Sequence, residues 1–148
     1  MLIRTIEPSD AHDWERMRRD LWPSAPSEHA RAVAAFLSGD RRDPAEVFLA
    51  FDPRGRAVGF AEVSIRPYAE GCHSGRVAYL EGWFVEPASR LRGVGAALVA
   101  AVEDWGREQG CPELGSDAEI ENTASITAHR SLGFTEVARV VCFRKLLG

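Results

Sequence analysis

The most informative segment of the chain is Val85-Glu86-Pro87-Ala88-Ser89-Arg90-Leu91-Arg92-Gly93-Val94-Gly95-Ala96. It follows a run of β-branched and aromatic residues, Val77 to Val85, and leads into the clearest helical pattern, in which apolar residues recur at helical spacing from Val94 to Trp105. Unpaired N–H groups at a helix start favour an anion, and glycine lets the anion approach the main chain. The segment predicts a phosphate-binding loop; a tight turn with solvated arginines is the alternative.

Two common nucleotide-binding loops do not match this segment. A Walker loop requires Gly-Lys-Ser or Gly-Lys-Thr, and neither occurs in the chain. A dinucleotide-binding fingerprint requires a third small residue at the position that Leu98 occupies. The predicted phosphate-binding loop therefore belongs to neither of these two classes.

Periodicity and turn residues on either side of the loop predict a mixed α/β domain spanning residues 1–148. The predicted elements are strand 2–6, a helix starting at 8–10 and ending near 22, a break at Ser24 to Pro26, a helix capped by Ser27 and ending at 38, strands 47–51, 57–65 and 77–85, a helix from 94 ended by Gly110, strand 113–117, helix 122–132 and strand 137–146. The order is β-α-α-β-β-β-α-β-α-β, a mixed sheet with helices on its faces. Gly82 inside a strand indicates a bulge.

Composition and charge narrow the classes of function. The 148 residues carry 18 Lys plus Arg against 22 Asp plus Glu, a net charge of -4, which argues against a general nucleic-acid binder. No apolar run approaches the roughly 20 residues that span a bilayer, and the amino terminus lacks a signal-peptide pattern, so the cytoplasm is expected. The three cysteines and four histidines show no ligand spacing, and no metal is expected.

Acidic residues are concentrated in one part of the chain. Between Glu103 and Asn122 there are seven acids against Arg107, a local charge of -6. A solvated face explains such a run as well. Because the run leads into the strand end that carries Asp117, we expect it to steer a cationic acceptor.

The Arg-x-x-Gly-x-Gly loop after a strand with an expected bulge resembles the pyrophosphate loop of the GCN5-related N-acetyltransferases. The segment Asn122-Thr123-Ala124-Ser125-Ile126-Thr127-Ala128-His129-Arg130-Ser131-Leu132-Gly133-Phe134 resembles the next motif of that family, a helix that contacts the pantetheine arm of the coenzyme. The resemblance implies a mostly antiparallel sheet flanked by about four helices, and acetyl-CoA as the acetyl donor.

Within the family, aminoglycoside 6'-N-acetyltransferases are closest. The segments that resemble them are Arg18 to Pro23, Ser64 to Arg66, Tyr79 to Val85, Gly115 to Asp117 and Glu121 to Thr123. The resemblance implies aminoglycoside contacts at Trp22, Tyr68, Glu81 and Asp117. It implies acetyl-CoA contacts at Trp83, Phe84, Val85, Leu91, Arg92, Gly93, Val94, Gly95, Ala96, Asn122 and His129. Relatives are often dimers, so a homodimer is expected, and the apolar tail from Val137 to Leu147 is either its interface or a core strand.

Two positions depart from the pattern of the wider family. His129 stands where many members have a tyrosine that protonates the departing thiolate, although the aminoglycoside subgroup commonly has histidine there. Ala138 stands where relatives carry an acidic substrate contact. Glu136, two residues earlier and therefore on the same side of a strand, is the expected substitute.

The resemblance implies direct transfer of acetyl from the thioester to a primary amine. The amine must arrive neutral, so a carboxylate must take a proton from it directly or through water, and Glu81 and Asp117 are the candidates. Free backbone N–H groups of a bulged strand near Phe84 and Val85 would polarise the thioester carbonyl. Two other functions remain open: an acetyltransferase for another amine, such as a polyamine, a metabolite or a protein amino terminus, and a coenzyme-binding module without turnover.

Overall fold

The computed structural model describes residues 1–24 and 26–148, and the elements follow the predicted order up to residue 131. The strands are β1 (Leu2–Thr5), β2 (Glu46–Phe51), β3 (Ala57–Arg66), β4 (Val77–Val85) and β5 (Glu113–Ser116). The helices are α1 (Ala11–Leu21), α2 (Pro26–Leu37), α3 (Val94–Glu108) and α4 (Thr123–Ser131), with short 3-10 turns at Pro8–Asp10 and Pro87–Ser89. No helix in the described ranges is long and apolar enough to cross a membrane.

The five strands form one sheet in the order β1-β2-β3-β4-β5. Neighbouring strands are antiparallel except β4 and β5, which are parallel and joined by α3. The predicted mixed, mostly antiparallel sheet flanked by four helices is thereby confirmed. A parallel pair requires a crossover connection, which is why the strong helical pattern lies between these two strands.

Two apolar clusters cover opposite faces of the sheet. Successive residues of β2 belong to different clusters. Phe48 is in the cluster that contains Leu98 and Val102 of α3, whereas Leu49 is in the cluster that contains Trp14 of α1 and Phe36 of α2. A strand points successive side chains to opposite faces, so a run that is apolar at every position indicates a sheet covered on both sides.

The start of α2 differs from the prediction. The helix begins at Pro26, so Ser27 lies in its first turn and is not its cap. Proline is favoured at the first helical position because the N–H that it lacks would have no partner there. The predicted break at Ser24 to Pro26 includes residue 25, which lies outside the described residues.

The predicted strand from Val137 to Leu146 is wrong for the single chain. No strand follows α4, and the tail leaves Val141, Phe143 and Leu147 between 77% and 92% exposed. Only its beginning packs: Val137 lies so close to Gly71, which has a φ of 76°, that a Cβ on Gly71 would be 2.6 Å from the Val137 Cβ. A strand needs a partner for its backbone N–H and C=O groups, and within one chain the tail does not find one among the described residues.

Candidate active site

The site is organised around β4, which carries a bulge and then separates from β5. Glu62 of β3 pairs with Gly82 and Val63 pairs with Leu80, so Glu81 is the extra residue of the bulge that Gly82 predicted. β5 pairs only with Val77 to Leu80. The edge of Glu81 to Val85 that faces away from β3 therefore has no strand beside it in the described part of the chain, and its backbone groups are available to a ligand.

The loop between β4 and α3 has the geometry of an anion site. Leu91 has a φ of 62° and Gly93, the residue before α3, has a φ of 82°. Left-handed residues at a helix start turn successive N–H groups toward one point, and the helix dipole adds to the positive potential there. Leu91, Arg92 and Gly93 are all exposed. Arg90 is also exposed, but its guanidinium is tied to the end of β4, because its Nε donates to the Val85 carbonyl at 2.8 Å.

The first turn of α3 is fixed against the open part of β4. The Trp83 indole Nε1 donates to the Gly95 carbonyl at 3.2 Å. A Cβ on Gly95 would lie 3.1 Å from the Trp83 ring, so glycine permits this close approach. The predicted coenzyme residues of β4 and of the loop therefore form one continuous surface.

The two predicted catalytic carboxylates, Glu81 and Asp117, belong to one chain of contacts. Arg66 donates to both oxygens of Glu81, at 2.6 and 3.0 Å, and its guanidinium lies 3.6 Å from the centre of the Tyr79 ring. The Tyr79 hydroxyl donates to Asp117 at 2.7 Å. Burial, reinforced by Asp117, raises the pKa of Tyr79 well above its usual value, so Tyr79 keeps its proton. Arg66 thus neutralises Glu81, whereas the exposed Asp117 has a neutral partner.

Trp22, the predicted substrate wall, lies directly over the bulge. A Cβ on Gly82 would be 2.6 Å from Cη2 of the indole, so glycine at this position makes room for the ring. Trp22 and Glu81 both line a cleft of about 530 Å³, together with Arg18, Ser24, Glu28, His29, Ala32, Asp43, Pro44 and Glu62. Four carboxylates line this cleft, but Glu62 is paired with Arg18 and Glu81 with Arg66. The net negative charge of the cleft therefore comes mainly from Glu28 and Asp43.

Buried polar residues hold Trp22 in place. Arg18 pairs with Glu62, which is 2% exposed, and its Nε donates to His29 Nδ1 at 3.3 Å. Because arginine only donates, the His29 proton is on Nε2, which donates to the Trp22 carbonyl at 2.6 Å. The Arg18 guanidinium also lies 4.9 Å from the centre of the indole ring. Burial raises the pKa of Glu62 to about 7, against the opposing effect of Arg18.

Three other predicted residues, Tyr68, Asn122 and Glu136, lie outside this cleft. Tyr68 is 65% exposed in the loop after β3. Asn122 accepts from the Ser125 N–H at 3.1 Å and caps α4. Glu136 pairs with Arg130 at 2.8 Å and with Arg139, and these bonds lower its pKa. None of the three is among the described residues that line the cleft.

His129 lies at the other side of the opening in β4. Its Nε2 is 2.8 Å from the Ser116 hydroxyl, and its Nδ1 is 2.7 Å from the Ser125 carbonyl oxygen. The ring packs edge-on against Trp83 and Phe134, with centroids 5.2 and 5.0 Å away. Its predicted place beside the coenzyme surface is consistent with the contact to Trp83.

Sequence reasoning missed the positioning role of Arg18, His29, Glu62, Arg66 and Tyr79. One signal was available: Glu62 is a charged residue between the apolar residues Ala61 and Val63 of a strand, where a carboxylate needs a partner. The partners themselves come from α1 and α2 and are distant in sequence. In the described ranges, no group of three His, Cys, Asp or Glu side chains could hold a metal ion.

Comparisons with known proteins agree with this geometry. The model of the acetyltransferase (GNAT) family matches residues 14–134. An aminoglycoside N(6')-acetyltransferase type 1 of Klebsiella aerogenes is 54% identical over 99% of this chain and 97% of its own. The structure of AAC(6')-Iy with the bisubstrate analogue CoA-S-monomethyl-acetylneamine has a TM-score of 0.90 at 40% identity and covers 99% of this chain and 98% of its own. An aminoglycoside 6'-N-acetyltransferase of Acinetobacter baumannii has a TM-score of 0.89 at 36% identity, covering 99% of both chains. The chain belongs to the acetyltransferase (GNAT) family.

Proposed function

We propose that this protein transfers the acetyl group of acetyl-CoA to the 6'-amino group of aminoglycosides. The observation that carries the proposal is the open half of β4, which has an anion-binding loop at one end and the carboxylates Glu81 and Asp117 at the other. A relative of 54% identity carries the name of this activity. An anionic coenzyme and a polycationic acceptor would thus meet along one strand, each at the end that attracts its charge.

The coenzyme follows the surface from the loop to the bulge. The pyrophosphate is held by the N–H groups of Leu91 to Ala96, and Arg92 adds charge. The pantetheine arm pairs with the free edge of Trp83, Phe84 and Val85, as an added strand would. Asn122, which caps α4, and His129 within α4 border the same arm.

The acceptor enters the acidic cleft beside Trp22. Glu81, neutralised by Arg66, binds and orients the amine, and Asp117 is the better proton acceptor because no cation competes for it in the described contacts. The neutral amine then attacks the thioester carbonyl, whose developing charge is met by backbone N–H groups beyond the bulge. Tyr68 and Glu136 are further proposed acceptor contacts. Tyr68 lies in the exposed loop after β3, and Glu136 lies just before the tail.

The assembly is a homodimer, built from one domain that spans residues 1–148 in each copy. The outer edge of β5 is open among the described residues, and the tail that follows α4 exposes Val140, Val141 and Phe143 without a strand partner. Two copies related by a two-fold axis could each lay the tail on the other, which would cover both surfaces. The cytoplasm, the source of acetyl-CoA, is the proposed compartment.

Thiol release tests the activity. The purified protein is given acetyl-CoA with kanamycin or tobramycin, and mass spectrometry locates the acetyl group on the product. We expect acetylation at the 6'-amine, with a loss of about 10²-fold or more in kcat/KM for Asp117→Asn, the size of a general-base contribution. Ser38→Ala, on the surface after α2, is the control.

The outcomes separate the alternatives. Thiol release only with polyamines, other metabolites or peptide amino termini would replace the aminoglycoside by another amine. Coenzyme binding without turnover on any amine of such a panel would leave a non-catalytic coenzyme-binding module.

A further inference from the structure

Ser116 lies at the point where β4 and β5 stop pairing and begin to separate. It is the last residue of β5 that pairs with β4, opposite Leu80, and the free edge of β4 begins at the next residue, Glu81. The anion-binding loop follows the other end of that edge, after Val85. A coenzyme that lies along the edge with its phosphates at the loop therefore brings its thioester to Ser116. This placement rests on the proposed function.

The hydroxyl of Ser116 is bonded to a histidine whose proton positions are constrained. The Ser125 carbonyl, 2.7 Å from His129 Nδ1, can only accept, so Nδ1 carries a proton. The other nitrogen, Nε2, is 2.8 Å from the Ser116 hydroxyl. When the ring is neutral, Ser116 donates to Nε2. When both nitrogens are protonated, Nε2 donates to Ser116, and the serine proton is free to point elsewhere.

The pair is built to keep this geometry. Trp83 and Phe134 contact the ring edge-on, and Trp83 is itself tied to the first turn of α3. The other acceptor near the serine hydroxyl, the Leu80 carbonyl, is 3.5 Å away and too distant for a good hydrogen bond. His129 is therefore the partner that sets the direction of the Ser116 proton.

We infer that Ser116 and His129 form a proton relay for the departing thiolate. The amine nitrogen forms its bond to the carbonyl carbon, the C–S bond breaks, and the sulfur takes the proton of the Ser116 hydroxyl. The serine oxygen takes the Nε2 proton of His129 in the same step, which leaves a neutral ring with its proton on Nδ1. Asp117, which has by then passed the ammonium proton to solvent, takes the surplus proton of the new amide, and the half-buried His129 is reprotonated from solvent.

Single-turnover acetylation of kanamycin by Ser116→Ala and His129→Gln tests the relay. We expect each variant to lose about tenfold to a hundredfold in the rate of the chemical step, at the low end of general-acid effects because a thiolate is already a good leaving group. The KM for kanamycin should stay within about twofold, since neither change touches the acidic cleft. Ser116→Thr keeps a hydroxyl and should recover most of the rate.

Two measurements distinguish a relay from a structural role. The double variant should be no slower than the slower single variant, because removing either member already breaks the relay. Rates in mixtures of H₂O and D₂O should fit two moving protons for the wild type and one for His129→Gln. The control is Ser131→Ala, whose exposed hydroxyl donates to the Ala128 carbonyl on α4.

Each result decides a different question. A wild type that acetylates kanamycin together with a Ser116→Ala variant of equal rate would overturn the relay and leave the proposed function intact. Additive losses in the double variant would also overturn it. A wild type that releases no thiol with any aminoglycoside would overturn the proposed function and the relay with it.

Discussion

Glu62 is the buried residue on which the position of Trp22 depends. It holds Arg18, which bonds to His29, which in turn bonds to the Trp22 carbonyl. Where Glu62 is ionised, removing one partner of this buried ion pair leaves an uncompensated charge and is strongly destabilising. A single buried residue of β3 thereby supports one wall of the cleft.

The pKa of Glu62 predicts a pH dependence of stability. Folding raises this pKa from 4.5 to about 7, so between these values the folded protein keeps a proton that the unfolded chain releases. The contribution of Glu62 to the free energy of unfolding is therefore fully present below about pH 4.5 and is lost as the pH rises toward 7, by about 3 kcal/mol at most. Glu62→Gln lacks this proton equilibrium, so the difference between wild type and variant should change by that amount across the window.

Urea denaturation of both proteins at pH values from 4.5 to 7.5 measures the change. Glu15→Gln is the matched control, because Glu15 forms an exposed pair with Arg19 at 3.0 Å, and such pairs contribute little. A difference between wild type and Glu62→Gln that is constant over this range would show that burial does not control the ionisation of Glu62.

The loop before α3 is the element whose backbone conformation matters most. Gly93 has a φ of 82°, which costs about 1 kcal/mol or more for a residue with a Cβ. Gly110 at the other end of α3 has a φ of 76°, and a Cβ would meet no atom within 4 Å at either position. The two glycines therefore make a matched pair that differs only in closeness to the proposed phosphate site.

Gly93→Ala and Gly110→Ala should lose similar stability, about 1 kcal/mol each in urea denaturation. Only Gly93→Ala should weaken coenzyme A binding in calorimetric titration, by about tenfold, because its Cβ and altered φ disturb the N–H groups that face the anion. Equal affinities of the two variants for coenzyme A would contradict the assignment of this loop.

At the scale of the whole molecule, the tail after α4 remains unpaired in one chain. Phe143 is 92% exposed and Val141 is 77% exposed. Contiguous exposed apolar residues on a folded protein indicate an interface. The open edge of β5 offers a second copy the backbone groups that the tail lacks.

Phe143→Asp should convert the proposed dimer into a monomer in sedimentation velocity, because a carboxylate cannot be buried against apolar residues of a partner. Ile120→Asp is the control: Ile120 is 56% exposed but lies before α4, outside the tail. The proposed interface is wrong if the wild type sediments as a monomer or if Phe143→Asp remains a dimer.

Local patterns were sufficient for most of the fold. Helical spacing from Val94 to Trp105 and the strand pattern from Val77 to Val85 predicted α3 and β4, and Gly82 predicted the bulge that places Glu81. These features depend on residues close in sequence. The strand at Val137 to Leu146 has an equally suitable composition and does not form in the single chain, because pairing depends on a partner that local sequence does not specify.

The sequence by itself therefore determined the order of the elements and the glycine loop before α3, since backbone propensity is a property of neighbouring residues. Its resemblance to aminoglycoside 6'-N-acetyltransferases indicated Glu81 and Asp117. Only the tertiary structure decided that Arg66 neutralises Glu81, that Tyr79 bonds to Asp117, and that His129 meets Ser116. Each of these contacts joins residues of different elements, and the packing of helices on a twisted sheet sets which of them come within hydrogen-bond distance.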